Sequence, residues 1–120
     1  MRVKALSLLA ASFLATSAIH AQTIARPPAF AVCAGCHSIQ PGKTVFGPSL
    51  AALTGRKAGT VPGYAYSPAL KASGLTWNAI TLDRWLKGPQ RLVPGTRMPF
   101  PGMQDAKARK EVISYLLTPY

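Results

Sequence analysis

The segment Cys33-Ala34-Gly35-Cys36-His37 constrains the fold of this chain more than any other feature of its sequence. Two thiols three positions apart lie about one helical turn apart, so both can bond to the same edge of one flat ring. The histidine that follows is then placed to bind a metal held in that ring. This spacing is the signature of covalent attachment of a c-type haem. The motif predicts a fold that encloses a haem. No second copy of the motif occurs, so one haem is expected.

Three other interpretations of the cysteine pair stay open at this point. A thioredoxin-like dithiol follows a β-strand, but no β-branched run precedes Cys33. A zinc site needs a fourth ligand, and the chain after residue 21 holds no Cys or His besides Cys33, Cys36 and His37. A structural disulfide would leave His37 without a role. Haem attachment is therefore the preferred interpretation.

The N-terminus has the pattern of a secretory signal peptide. Arg2 and Lys4 precede a short apolar stretch, and small residues up to Ala21 suit cleavage there. The alternative is an uncleaved membrane anchor, but the stretch is shorter than the roughly 20 apolar residues of a membrane span. We therefore expect residues 1–21 to be a signal peptide. Residues 22–120 would then form one domain, exported to a bacterial periplasm and without a membrane span.

Composition narrows the class of this domain. All 10 Gly and 11 Pro follow residue 21, which predicts many turns and long loops. A chain this short buries little apolar surface, so an enclosed haem would supply much of its core.

Without the signal peptide, the chain has 12 basic and three acidic residues, a formal charge of +9. The basic residues are scattered and no nucleic-acid motif accompanies them, so we expect acidic redox partner proteins and no nucleic acid. Surface solvation alone is the alternative.

The pattern of caps and apolar residues predicts an all-α, loop-rich fold with four helical segments. Nothing in the sequence indicates a paired sheet. Gly74 is expected to end the second segment and Gly88 the third. The segments are expected to begin, in chain order, at Pro27-Pro28, Ser67-Pro68, Thr81 and Asp105.

The second axial position of the iron decides the function of such a protein. A protein ligand there favours electron carriage, whereas an open position favours gas binding or peroxide chemistry. With no spare histidine, the candidates are Met98 and Met103. Met98 lies between Pro94 and Pro99, which stiffen its loop and lower the entropic cost of holding a weak ligand. Met103 is better explained by packing, so Met98 is the preferred ligand.

Six short motifs, in this order, resemble those of the class I cytochromes c. The resemblance covers the chain from about Phe30 to Leu116. It implies a small, loop-rich, all-α fold of about four helices wrapped around one covalently bound haem c. The motifs are Cys33-x-x-Cys36-His37, Gly47-Pro48-Ser49-Leu50, Gly55-Arg56-Lys57-Ala58-Gly59, Tyr64-Ala65-Tyr66-Ser67, Gly74-Leu75-Thr76-Trp77 and Pro94-Gly95-Thr96-Arg97-Met98.

The resemblance implies how the iron is held. Cys33 and Cys36 would form the thioether bonds to the haem. His37 would be the proximal ligand of a low-spin iron and Met98 the distal one. The carbonyl group of Pro48 would accept a hydrogen bond from the His37 ring, which orients the ring and raises its basicity.

The resemblance also implies which residues contact the haem. Arg56, Tyr66 and Trp77 would surround its inner propionate, since a buried carboxylate needs hydrogen-bond donors or a cation. Trp85 would lie against the distal face. Thr96 belongs to the loop that carries Met98.

The function that the resemblance implies is one-electron transfer between redox proteins, by a monomer without catalytic residues. Four basic residues, Lys43, Lys87, Arg91 and Arg97, are expected to steer the partners to the exposed haem edge. Two alternatives stay open. One is a dedicated haem subunit of a periplasmic dehydrogenase or oxidase complex. The other is a haem sensor or peroxidase with an open sixth position.

Overall fold

A computed structural model describes residues 24–118, so the predicted signal peptide at residues 1–21 lies outside the described residues. Within 24–118 the chain is helical and has no strand, only one isolated antiparallel bridge between Lys57 and Thr76. This confirms the all-α, loop-rich prediction. The elements are a 3-10 turn at Pro28–Phe30 and the helices α1 (Ala31–Ala34), α2 (Pro68–Ala72), α3 (Ala79–Lys87), α4 (Pro89–Leu92) and α5 (Ala106–Leu116).

Three of the four predicted helix starts are confirmed. Pro28 opens the first helical turn. The Ser67 hydroxyl oxygen accepts a hydrogen bond from the amide of Leu70 and caps α2. The carboxylate of Asp105 accepts hydrogen bonds from two amides in the first turn of α5. Each cap supplies an acceptor for amides that have no partner inside their own helix.

The predicted start of the third helix is wrong, because Asn78 and not Thr81 caps α3. The side-chain oxygen of Asn78 accepts hydrogen bonds from the amides of Ile80 and Thr81, both at 2.9 Å. In return the Thr81 hydroxyl oxygen accepts one from the Asn78 amide at 3.0 Å. This reciprocal capping box satisfies more amides than a cap at Thr81 could, so the helix begins earlier.

The prediction of about four helices also misses α4. Gly88 ends α3 as expected, but the chain resumes a single helical turn at Pro89. Proline suits the first position of a helix because its fixed φ is helical and it has no amide hydrogen to satisfy. α4 therefore lies directly before the loop that carries Met98.

The core lies where α5 packs across α3 and the opening 3-10 turn. The rings of Phe30 and Tyr115 meet edge to face with their centres 5.0 Å apart, and Phe30 is 2% exposed. Val112, in the middle of α5, is completely buried. Because Phe30 directly precedes α1, these contacts anchor the start of α1, and so its cysteine, through the 3-10 turn. None of the helices in residues 24–118 is long and apolar enough to cross a membrane.

The long loops are tied together by backbone hydrogen bonds. The Trp77 amide donates to the Arg56 carbonyl at 2.9 Å, and the Gly55 amide donates to the Trp77 carbonyl at 2.8 Å. The bridge between Lys57 and Thr76 continues this pairing. The pairing brings the backbone of Arg56 beside that of Trp77, although the two residues are far apart in the sequence.

Candidate haem-binding site

A cavity of about 370 Å³ lies between α1, α3 and the loops. Its wall is mainly apolar, with leucines such as Leu53, Leu70 and Leu82 among its lining residues. All of the site residues predicted from the sequence line this one cavity. They are Cys33, Cys36, His37, Pro48, Arg56, Tyr66, Trp77, Trp85, Thr96 and Met98.

The attachment motif forms one wall of the cavity. Cys33 lies in α1, and the amides of Cys36 and His37 both donate to the Cys33 carbonyl, at 3.1 and 2.9 Å. This turn places all three side chains on the cavity. Cys33 and Cys36 are not joined in a disulfide, so the disulfide interpretation finds no support. Burial raises the pKa of the Cys33 thiol, with Arg26 opposing that shift, so the thiol is neutral.

His37 is oriented by Pro48. Its Nδ1 lies 2.8 Å from the Pro48 carbonyl oxygen. A carbonyl only accepts hydrogen bonds, so Nδ1 carries the proton and Nε2 keeps its lone pair. Burial lowers the pKa of His37, and the hydrogen bond to Pro48 opposes that shift. The side chain is therefore a neutral imidazole, the form that binds metals.

Gly47 packs against the same ring, a contact that sequence reasoning missed. A β-carbon at position 47 would lie 2.5 Å from Cε1 and 2.7 Å from Nδ1 of His37. The Gly47 amide also donates to the Cys36 carbonyl at 2.8 Å, which keeps this backbone close to the motif. The glycine next to Pro48 was the available signal, but it does not reveal which side chain fills the space.

Arg56 and Tyr66 supply polar groups to an otherwise apolar wall. The two Nη atoms of Arg56 donate to the carbonyls of Ala51 and Ser49, at 2.6 and 3.0 Å. Its Nε is buried and has no partner among the described residues. The Tyr66 oxygen accepts from the Val61 amide at 3.2 Å. Burial lowers the pKa of Arg56 and raises that of Tyr66, but Arg56 still carries its charge.

Trp77 and Trp85 form an aromatic pair on the cavity wall. Their rings meet edge to face with centres 5.4 Å apart, and each side chain is buried. Trp85 is carried by α3, and Trp77 lies just before that helix. The capping box at the start of α3 therefore helps set the position of both rings.

Met98 lies on the loop between α4 and α5, at residues 93–105, which we call the Met98 loop. Met98 is half-buried and lines the cavity, whereas Met103 is not among the lining residues. The side-chain amide of Gln90, in α4, donates to the carbonyls of Thr96 and Met98, at 2.5 and 3.3 Å. Gln90 had no role in the sequence prediction, because only the folded chain shows that the loop turns back onto this side chain.

These residues fit a haem. The cavity combines two thiols, a neutral imidazole and a thioether with walls that suit a flat, apolar ring. The buried Nε of Arg56 fits the anionic groups that such a ring carries, since an unpaired buried donor costs about 1–3 kcal/mol. Residues 24–118 hold no group of three His, Cys, Asp or Glu side chains placed to bind a metal ion, which leaves the zinc interpretation unsupported.

Comparison with known proteins places the chain in a family. The Cytochrome c family model matches residues 28–119, and the chain belongs to that family. It is 46% identical over 90 residues to cytochrome c2 iso-2 of Magnetospirillum fulvum, covering 75% of this chain and 94% of that protein. It is 48% identical over 88 residues to cytochrome c2 of Rhodoblastus acidophilus, covering 72% and 82%.

A solved structure gives the same result. The structure of cytochrome cH from Methylobacterium extorquens matches with a TM-score of 0.69 and 48% identity, over 73% of this chain and 89% of that one. The family consists of electron-transfer proteins with one covalently bound haem c. The predicted family, fold and cofactor are confirmed. The chain is an electron-carrier cytochrome that works with redox partners, and not an enzyme.

Proposed function

We propose that this protein is an exported, monomeric one-electron carrier in which His37 and Met98 are the two axial ligands of the iron. Cys33 and Cys36 would hold the haem covalently. One observation carries this proposal: both thiols, the oriented His37 imidazole and the Met98 thioether line the same apolar cavity. When bound, haem c supplies an iron that gains and loses one electron.

The two ligands have different tasks. The hydrogen bond from Nδ1 of His37 to Pro48 fixes the plane of the ring and makes Nε2 a better donor to iron. The Met98 sulfur is a soft, neutral ligand, which favours the ferrous state and raises the reduction potential. Together they would hold the iron in both oxidation states, so electron transfer would need no ligand exchange.

The cavity wall keeps water from the iron and satisfies the charges of the haem. Apolar surroundings disfavour the state with the higher net charge, which again raises the potential. Arg56, Tyr66 and Trp77 are the donors assigned to the inner propionate. Support for this comes from the unpaired, buried Nε of Arg56 and from the position of all three residues on the cavity.

The surface favours acidic partners. Lys43, Lys87, Arg91 and Arg97 are all exposed, and Arg97 lines the mouth of the cavity. The chain has only three acidic residues, which lie in or directly before α3 and α5. A positive surface of this kind steers acidic proteins into brief encounters whose rate falls as salt is added.

The proposal that the protein is exported rests on the sequence of residues 1–21. Their pattern of charged start, short apolar stretch and small residues is typical of a cleaved signal peptide, which supports a periplasmic location for the mature protein. Mass measurement of the exported holoprotein tests this. A mature chain that starts at Gln22 and carries the mass of one haem is the expected result, and an intact Met1 would contradict it.

The experiment that tests the ligand pair is optical spectroscopy of Met98→Ala, with Met103→Ala as the matched control. We expect the ferric wild type to show the weak sulfur-to-iron band at the red end of the visible spectrum. The band should vanish in Met98→Ala and persist in Met103→Ala. Reduced Met98→Ala should bind carbon monoxide readily, whereas the reduced wild type should not.

Other outcomes would contradict the proposal in distinct ways. Loss of the band in Met103→Ala alone would make Met103 the ligand. A wild type that lacks the band and binds carbon monoxide at once would have an open sixth position. The function would then be that of a haem sensor or peroxidase.

A further inference from the structure

The downstream end of the Met98 loop is fastened to the last turn of α3. The Met103 amide donates to the Leu86 carbonyl at 2.7 Å, and the Gln104 side-chain amide donates to the Lys87 carbonyl at 3.0 Å. Gly102 lies so close to the Lys87 carbonyl that any β-carbon there would overlap it. This end of the loop therefore has one tightly defined position.

Arg109 reinforces that attachment from α5. Its Nη1 donates to the carbonyls of Met103 and Gln104, at 2.9 and 3.0 Å. Its Nε donates to the Asp83 carboxylate of α3 at 2.8 Å. Arg109 is 6% exposed, so one buried guanidinium joins α3, α5 and the Met98 loop. Charged hydrogen bonds from a buried guanidinium are strong and directional, because little water reaches the donor.

The upstream end of the loop is held by different residues. Gln90 binds the carbonyls of Thr96 and Met98, and the Arg97 guanidinium donates to the Ala65 carbonyl at 2.8 Å. The side chains of Gln90 and Arg97 are exposed, whereas Arg109 is buried, so water competes more for the donors at this end. The buried attachment by Arg109 is therefore the firmer of the two, and Met98 lies between them.

We propose that Arg109 is a positioning residue for the sixth ligand: it holds the Met103–Gln104 carbonyls and thereby keeps Met98 in the haem cavity. The inference rests on the proposed ligation of iron by Met98. Asp83 takes part by fixing the guanidinium, and its side chain is 47% exposed at the edge of this cluster. Without Arg109, the carbonyls of Met103 and Gln104 lose their donor and the downstream end of the loop detaches more often.

The test compares imidazole binding to the ferric holoproteins of the wild type, Arg109→Gln and Lys110→Gln. Imidazole competes with Met98 for the iron, so its affinity reports how often the loop opens. Lys110→Gln removes the same charge from the neighbouring, exposed position of α5. We expect at least tenfold tighter binding and a weaker sulfur-to-iron band in Arg109→Gln. In Lys110→Gln the affinity should change less than twofold.

A second readout does not depend on the iron. The Met103 amide donates a hydrogen bond to the Leu86 carbonyl. Hydrogen exchange of this amide should be at least tenfold faster in Arg109→Gln than in the wild type. A third variant, Ile113→Val, removes one methylene from the buried face of α5 and lowers global stability, and it removes no hydrogen bond to the loop. Its imidazole affinity should stay within twofold of wild type.

The inference is overturned if Arg109→Gln changes imidazole affinity no more than Ile113→Val does, or if the Met103 amide exchanges at the wild-type rate. If Arg109→Gln does not fold, Asp83→Asn is the variant to test. We expect it to bind imidazole at least threefold more tightly than the wild type. An unchanged affinity would overturn the inference. Failure of the ligation proposal looks different. The wild type would then lack the sulfur-to-iron band. Hydrogen exchange of the Met103 amide would still report on the attachment of the Met98 loop to α3.

Discussion

Replacing Gly47 by alanine should displace the His37 ring. The added β-carbon would lie 2.5 Å from Cε1, and ordinary contact begins near 3.4 Å, so the ring must withdraw by about 0.9 Å. Gly47 is not among the residues with a positive φ, so the substitution brings no backbone strain. The backbone at residue 47 is held by its hydrogen bond to Cys36, which leaves the ring as the part that moves.

The cost of that displacement has two parts. Crowding a packed site costs about 1–3 kcal/mol. Losing the hydrogen bond of 2.8 Å between His37 and Pro48 leaves a half-buried carbonyl unpaired, which costs about 1–2 kcal/mol more. Because the two relaxations overlap, we expect the free energy of unfolding of the holoprotein to fall by about 2–4 kcal/mol.

Guanidinium unfolding of Gly47→Ala measures this loss, with Gly88→Ala as the control. At Gly88 the nearest atom to an added β-carbon is the Arg91 Cβ at 3.4 Å, an ordinary contact. The Gly88 backbone is extended, with φ at −178°, so alanine fits and the control should be unchanged or more stable by up to about 1 kcal/mol. A Gly47→Ala protein within about 0.5 kcal/mol of wild type would refute the proposed packing of His37.

Two further predictions concern stability. Asn78→Ala removes the acceptor of the Ile80 and Thr81 amides and should cost about 1 kcal/mol in guanidinium unfolding; an unchanged midpoint would contradict the capping box. Burial raises the pKa of Tyr66 above 10.0, so above about pH 10 the unfolded chain loses this proton before the folded protein does. The stability of the wild type relative to Tyr66→Phe should therefore fall as pH rises above about 10, and a constant difference would contradict this.

Much of the site was predictable because it depends on residues that are close to one another in the sequence. The thiols and imidazole of Cys33, Cys36 and His37 share one face because covalent spacing and one helical turn put them there. The caps at Ser67 and Asp105 follow from side chains that can bond amides two or three residues ahead. The order of the six motifs was enough to indicate the family and so the cofactor.

Contacts between distant residues were not predictable in this way. The hydrogen bond between Arg109 and Asp83 joins residues 26 positions apart, and nothing near either one in the sequence marks the other. Gln90 is only six and eight positions from the carbonyls that it contacts, but the sequence alone does not show that the loop folds back onto α4. Even the predicted start of α3, a local feature, was wrong. Asn78 and Thr81 are both good N-cap residues, and the hydrogen bonds between them make Asn78 the N-cap.

The amino-acid sequence was sufficient to establish a covalent haem, an all-α chain rich in loops and two candidate methionines. Those features depend on residue type and on spacing within one turn of the backbone, which neighbouring residues specify. Which methionine reaches the cavity, and what holds it there, depends on how α3, α4 and α5 pack. Packing arises from many weak contacts between remote segments, so Gly47, Gln90 and Arg109 gain their significance from the folded chain.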